Sequence, residues 1–145
     1  MVSIGKSLAC YAAAYGIVTL IGMLHTVFNI TVLHMKSMKD SPGMGEGYER
    51  TKPWHPLYNI LVFPAFALLY FHTAEGAGTF PNAAVTSLVW GTVTVVIDYF
   101  GWVLIKHPWS LTAREFYVDY QPWITLIYAA IYCSPFIGYV FFKLF

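Results

Sequence analysis

Asn82–Ile105 reads NAAVTSLVWGTVTVVIDYFGWVLI, an unbroken apolar run that carries one charge, Asp98. The hydrocarbon core of a bilayer is crossed by a helix of about 20 apolar residues, and this run is long enough. Without water to pair with, its backbone N–H and C=O groups must bond to one another, which predicts a helix. A barrel strand alternates apolar and polar residues, and this run does not. An ionisable group at that depth costs roughly 3 kcal/mol on insertion scales. Asp98 is therefore expected to face protein rather than lipid, and it is the first residue to suspect of function.

Working outward from this run, similar stretches occupy residues 7–33 and 122–142. Leu57–Phe71 is a shorter one, which Pro56 and His72 extend to 56–72. The chain is 58% hydrophobic and 10% charged, with a mean hydropathy of +0.59, whereas soluble domains carry about 25% charged residues. The expectation is an all-α integral membrane protein: one domain over residues 1–145, a bundle of four transmembrane helices. Pro64 interrupts the second span, so a re-entrant segment is its alternative, which would leave an odd number of crossings. Lys6 and Ala12-Ala13-Ala14 imitate a signal peptide. The apolar run continues far beyond them, so a retained first span is expected.

Net charge is +1 with no basic block, which gives nucleic acid nothing to hold. Cys10 and Cys133 fall at different depths of their spans and are expected to be small membrane-buried side chains, not a disulfide.

Between the first two spans lie Lys36, Lys39, Arg50 and Lys52, around a turn-forming stretch from Ser41 to Gly47. Between the third and fourth lie Lys106 and Arg114, while Lys6 and Lys143 sit at the opposite face. Six basic residues against two predict, by the positive-inside bias, cytoplasmic connections and non-cytoplasmic termini. Lys52-Pro53-Trp54-His55-Pro56 and Lys106-His107-Pro108-Trp109 are expected to anchor the same interface, with Trp at the headgroups and Lys reaching outward. Thr112-Ala113-Arg114-Glu115 fits a capping box and predicts a short interfacial helix in the third connection. Pro122 suits the start of the last span.

Three spans carry stripes of small and polar residues at alternating spacings of three and four, the period of a helix–helix seam. They run Ala12, Tyr15, Thr19, Gly22, Thr26, Asn29 in the first span and Ala84, Ser87, Gly91, Thr94, Asp98, Gly101 in the third. The fourth reads Gln121, Thr125, Tyr128, Tyr132, Pro135, Tyr139. At 1.5 Å of rise per residue, His25, Asn29, Asn59, Thr125 and Tyr128 approach the depth of Asp98, with Gln121 near the mouth.

A buried Asp is either protonated or ionised against a cation, and His25 is the expected partner by depth. The leading expectation is a small polytopic protein that binds or transports a small solute or ion through a one-sided polar cavity centred on Asp98. His25, Asn29, Tyr128 and Thr125 would shape the cavity, and Asn59 and Gln121 would line its mouth. A lipid-modifying enzyme using Asp98 and His25 as acid and base is one alternative. A non-catalytic subunit whose polar seams dock a partner helix is the other. Thin four-helix walls also suit a homo-oligomer. Metal is not expected, because His-x-x-x-His, Glu-x-x-His and Cys-x-x-Cys spacings are missing. Nor is any cofactor: His25 and His72 lie at opposite depths and do not frame a haem.

Overall fold

The computed structural model describes residues 3–37 and 44–145. Lys39 and the first part of the Ser41–Gly47 turn lie outside them. The fold is all-helical, 79% helix and without strands among the described residues, with four helices long and apolar enough to cross a membrane. In chain order the α-helices are α1 (Ile4–Thr31), α2 (Glu46–Thr51), α3 (His55–Thr73), α4 (Phe80–Asp98), α5 (Ala113–Tyr117) and α6 (Trp123–Leu144), and the four spans are α1, α2 with α3, α4 with the turn after it, and α6.

The second span departs from its expected start. Residues 52–54 form a tight 3-10 turn that joins α2 to α3 without a break, so Glu46–Thr73 is one helical run of 28 residues. Pro53 and Pro56 each fall in the first turn of their segment, where the missing N–H costs little. The chain tightens at Lys52–Trp54 instead of breaking. This removes the shortness that made the span doubtful, and it moves Lys52 inward. Lys52 does not reach toward headgroups as expected: it is 2% exposed, paired with Glu49 at 2.7 Å, and lies over the Tyr120 ring at 5.0 Å.

Pro64 stays inside α3 and contributes to a close approach of α3 to α6. A Cβ on Gly138 of α6 would lie 2.7 Å from Ala67 Cβ, 2.9 Å from the Leu68 nitrogen and 3.0 Å from the Pro64 oxygen. Packing of α3 on α6 is the most extensive in the bundle, followed by α1 on α3 and α4 on α6. At the centre Tyr11, Phe63 and Trp90 meet with ring centroids 5.9 to 6.1 Å apart, all buried. Lys6 on α1 donates to the Thr73 carbonyl at the end of α3, and His72 packs on Phe142 of α6. Both ends of the described chain therefore share one end of the bundle.

The third connection forms as expected. Thr112 and Glu115 make both halves of a capping box, and α5 follows. Upstream, α4 runs into a π-helical turn at Tyr99–Leu104. The carbonyls left over there find donors: His107 Nε2 meets Gly101 O at 2.8 Å, Leu111 N–H donates to Trp102 O at 2.8 Å, and Lys106 Nζ to Val103 O at 3.2 Å. The Trp109 N–H donates to His107 Nδ1, so Nε2 carries the proton that binds Gly101. One histidine thus closes a helix end and folds the following loop back over the bundle.

The stripes are partly displaced. Gly22, Thr26 and Asn29 are buried on α1, but higher up Tyr11, Ala14 and Val18 face inward while Ala12 is exposed. On α4, Ser87, Gly91, Thr94 and Asp98 are buried as expected; a Cβ on Gly101 would meet nothing within 4 Å. On α6 the buried face is Ile124, Ile127, Ala130, Ile131, Ser134, Pro135 and Gly138, while Thr125 and, just before the helix, Gln121 are exposed.

Candidate functional site

Parallel helices bring residues a constant sequence distance apart into register at successive turns. On α1 and α4 this makes a ladder. Trp90 Nε1 donates to Ser7 Oγ at 3.0 Å, Tyr11 and Thr94 hydroxyls meet at 2.9 Å, and Tyr15 donates to Asp98 Oδ1 at 2.7 Å. Every pair is separated by 83 residues. Each helix advances four residues per rung, about one turn. Because each rung includes a large aromatic residue or ends on a long tyrosine, α1 and α4 meet mainly through side chains rather than by close backbone approach.

The π turn ends the ladder. Continued α-helical geometry would bring Trp102 level with Thr19, the next rung. A π turn carries more residues per turn, and such turns recur at functional sites. Here Trp102 Nε1 instead donates back to the Tyr15 hydroxyl at 3.0 Å, so Tyr15 accepts from Trp102 and donates to Asp98. Thr19 is left facing a cavity of about 120 Å³.

That cavity begins at Asp98, which is 5% exposed, and is lined by α1, α3, α4, the π turn, α6 and the third connection. Tyr15 is the hydrogen-bond donor to the carboxyl. Tyr128 lies within electrostatic reach of Asp98 and Tyr117, but its buried hydroxyl makes no hydrogen bond of ordinary geometry. His55 lines the wall; its Nδ1 meets the Tyr120 hydroxyl, and its Nε2 is buried against Gly22 with no partner. Tyr48 donates to the Tyr120 oxygen at 3.3 Å, which leaves the Tyr120 proton for His55. Burial first, then the neighbouring Tyr48, holds the Tyr120 phenol well above its ordinary pKa, so it remains a neutral donor. Burial likewise raises Tyr117.

Of the residues expected at the site, Asp98 and Asn59 line the cavity, with Asn59 donating to the His55 carbonyl of its own helix at 2.8 Å. Tyr128 stands beside Asp98 outside the wall. Asn29 is elsewhere: it donates to Gly47 O and Thr51 Oγ1 at 3.0 and 3.1 Å, and Thr26 joins the same knot, tying α2 to α1. His25 is not brought to Asp98. Its Nδ1 meets the Tyr58 hydroxyl at 2.6 Å, its ring packs edge-on against Trp54, and it lines a separate recess with Asn29 and Arg50. The acid–base pair of Asp98 with His25 is thus not formed. Gln121 and Thr125 bond to each other at 2.7 Å on the exposed side of α6.

Reasoning from spans missed His55 and Trp109, which line the cavity from segments read as interface anchors, and Phe116 and Tyr120, which line it from the segment read as a short interfacial helix. One signal was present: Phe116 and Tyr120 stand four apart around a capped helix, as an inward face would. Among the described residues no three His, Cys, Asp or Glu side chains converge, and Cys10 and Cys133 are free thiols. No family model, curated protein or solved structure matches this chain.

Proposed function

We propose that this protein binds a small solute in the one-sided cavity, with the Asp98 carboxyl as its polar anchor. The observation that carries the reading is a buried carboxylate that opens onto an internal cavity instead of lipid. Retaining such a group costs stability, and a ladder rung alone would be served by a neutral hydroxyl, as Thr94 serves the rung before it. Toward the termini the site is backed by Tyr11, Phe63 and Trp90. Binding from one side therefore suits this form, and passage through the bundle would require the Tyr11–Thr94 and Trp90–Ser7 rungs to part. The separation of His25 from Asp98 favours solute binding over acid–base chemistry on a lipid.

A cysteine at Thr19 tests access. In a Cys10→Ser, Cys133→Ser background reconstituted into vesicles, Thr19→Cys should react with a hydrophilic methanethiosulfonate. Leu88→Cys, on the outer face at 64% exposure, should be shielded by lipid. A Thr19→Cys that reacts no faster than Leu88→Cys removes the water-accessible cavity and the proposal with it.

Sidedness is part of the same reading. Lys36, Arg50, Lys106 and Arg114 group at the cavity end, and Lys6 and Lys143 at the other. We place the cavity mouth in the cytoplasm and both termini outside. Terminal tags should then be cleaved by protease added to intact cells, and protection of both would invert the assignment.

A further inference from the structure

We infer that the cavity is an aromatic cage for a small organic ammonium ion, an inference that rests on the solute-binding reading and narrows its ligand class. Tyr15, Tyr58, Trp102, Trp109, Phe116 and Tyr120 bring rings to the wall, and Asp98 is its carboxylate. Among the described residues no Lys or Arg lines it. Lys52 lies on the ring of lining Tyr120 but is held by Glu49. An anion would meet a carboxylate and aromatic rings, with no fixed positive charge to offset them.

A hard metal ion fits little better. Calcium takes six or more oxygen ligands and magnesium demands a near-octahedral set, whereas most of this wall is ring and aliphatic carbon, including Val18, Ile124, Ile127 and Ile131. A cation whose charge is spread over methyl or methylene groups suits both halves of the wall. Ring faces attract it within about 6 Å, apolar carbon accepts its surface, and one carboxylate balances its charge. Size sets a limit as well. A cavity of roughly 150 Å³ holds benzene, so about 120 Å³ admits a cation of about five heavy atoms and excludes a bulky one.

Tetramethylammonium is the probe, and tert-butyl alcohol is its neutral counterpart of similar shape. Titration of the full chain in detergent micelles, sodium chloride replacing the probe at constant ionic strength, should show tetramethylammonium binding by calorimetry and a concentration-dependent rise in melting temperature. The alcohol should bind at least tenfold more weakly. Asp98→Asn should abolish the preference for the cation. Trp109→Leu removes a ring that makes no side-chain hydrogen bond among the described residues, and should weaken tetramethylammonium by about fivefold. Should Asp98→Asn fail to fold, Trp109→Leu carries the test. Equal binding of the two probes, or affinity unchanged in the variants, overturns the cage. If neither probe binds while Thr19→Cys still reacts, the cage falls and the solute-binding reading stands. Loss of Thr19→Cys labelling removes both.

Discussion

Helices α3 and α6 approach through a glycine, whereas α1 and α4 are held apart by rings. Gly138 sits against backbone atoms of α3, and Gly91 against the Tyr132 ring. Near the cavity Gly22 lies against the imidazole of His55, and α1 is joined to α4 by Tyr15 and to the π turn by Trp102. The same bundle thus uses a small residue to close one helix pair and large ones to open another. In lipid no hydrophobic force distinguishes helix from tail, so packing detail and hydrogen bonds set these distances. A cavity follows wherever aromatic spacers replace glycine and the side chains do not fill what they open.

The largest effect should come from breaking the close pair. Gly138→Leu forces a side chain into the α3 backbone, which has no room to give, and overpacking costs 1–3 kcal/mol or more. We expect about 3 kcal/mol or failure to purify as a monodisperse protein, read by thermal melting and size exclusion. Gly16→Leu, where a Cβ meets nothing within 4 Å, should change stability by less than about 0.5 kcal/mol. Equal losses in the two variants would mean that the α3–α6 contact is not what closes the bundle.

Asp98 comes next, because it belongs to both regions: it is the last rung and the first residue of the cavity. Asp98→Leu leaves the Tyr15 hydroxyl without its acceptor in a buried place, a loss of about 1–3 kcal/mol. Asp98→Asn keeps an acceptor and should cost less than about 1 kcal/mol. If the carboxylate serves only the ladder, the Asn variant will bind as the native protein does at every pH. If it anchors a cation, native binding of tetramethylammonium weakens on acidification, as the carboxylate takes up a proton, and the Asn variant gives a flat profile. Coincident profiles would return Asp98 to a purely structural role.

Smaller still is the middle rung. Tyr11→Phe removes one hydroxyl while Thr94 keeps its bond to the Trp90 carbonyl at 2.8 Å, so about 1 kcal/mol is expected. The double variant with Thr94→Val should lose less than the sum of the two singles, because they share one hydrogen bond. Strict additivity in the melts would show that the rung is not made.

How much of this was legible depends on which force placed each residue. Four spans are readable because apolar run length is a property of the bilayer, not of the fold. The α4 stripe of Ser87, Gly91, Thr94 and Asp98 is readable because a carboxylate and small residues both avoid lipid. On α6 the same rule misleads. Ile124, Ile127 and Ile131 face inward against rings, and apolar residues carry no mark that separates core from lipid. The Lys52-Pro53-Trp54-His55-Pro56 stretch misleads for another reason: proline in a first turn looks like a break, yet here the helix continues and carries His55 into the wall. Register of the π turn depends on where His107, Leu111 and Lys106 meet freed carbonyls, a tertiary event that no local pattern announces.

The smallest effect tests the α6 assignment. Gln121 accepts from Thr125 and donates to the Tyr117 carbonyl at 3.2 Å, all on an exposed surface. An exposed hydrogen bond trades with water or headgroups at little net gain, and surface substitutions usually fall within about 0.5 kcal/mol. Gln121→Ala with Thr125→Ala should therefore leave the melting temperature, Thr19→Cys labelling and tetramethylammonium affinity as they are. Ile127→Ala, one turn along on the buried face, removes a side chain from the cavity wall and should alter affinity while costing stability. Reversal of that order, with the polar pair affecting binding and Ile127 silent, would rotate α6 and turn Gln121 and Thr125 toward Asp98.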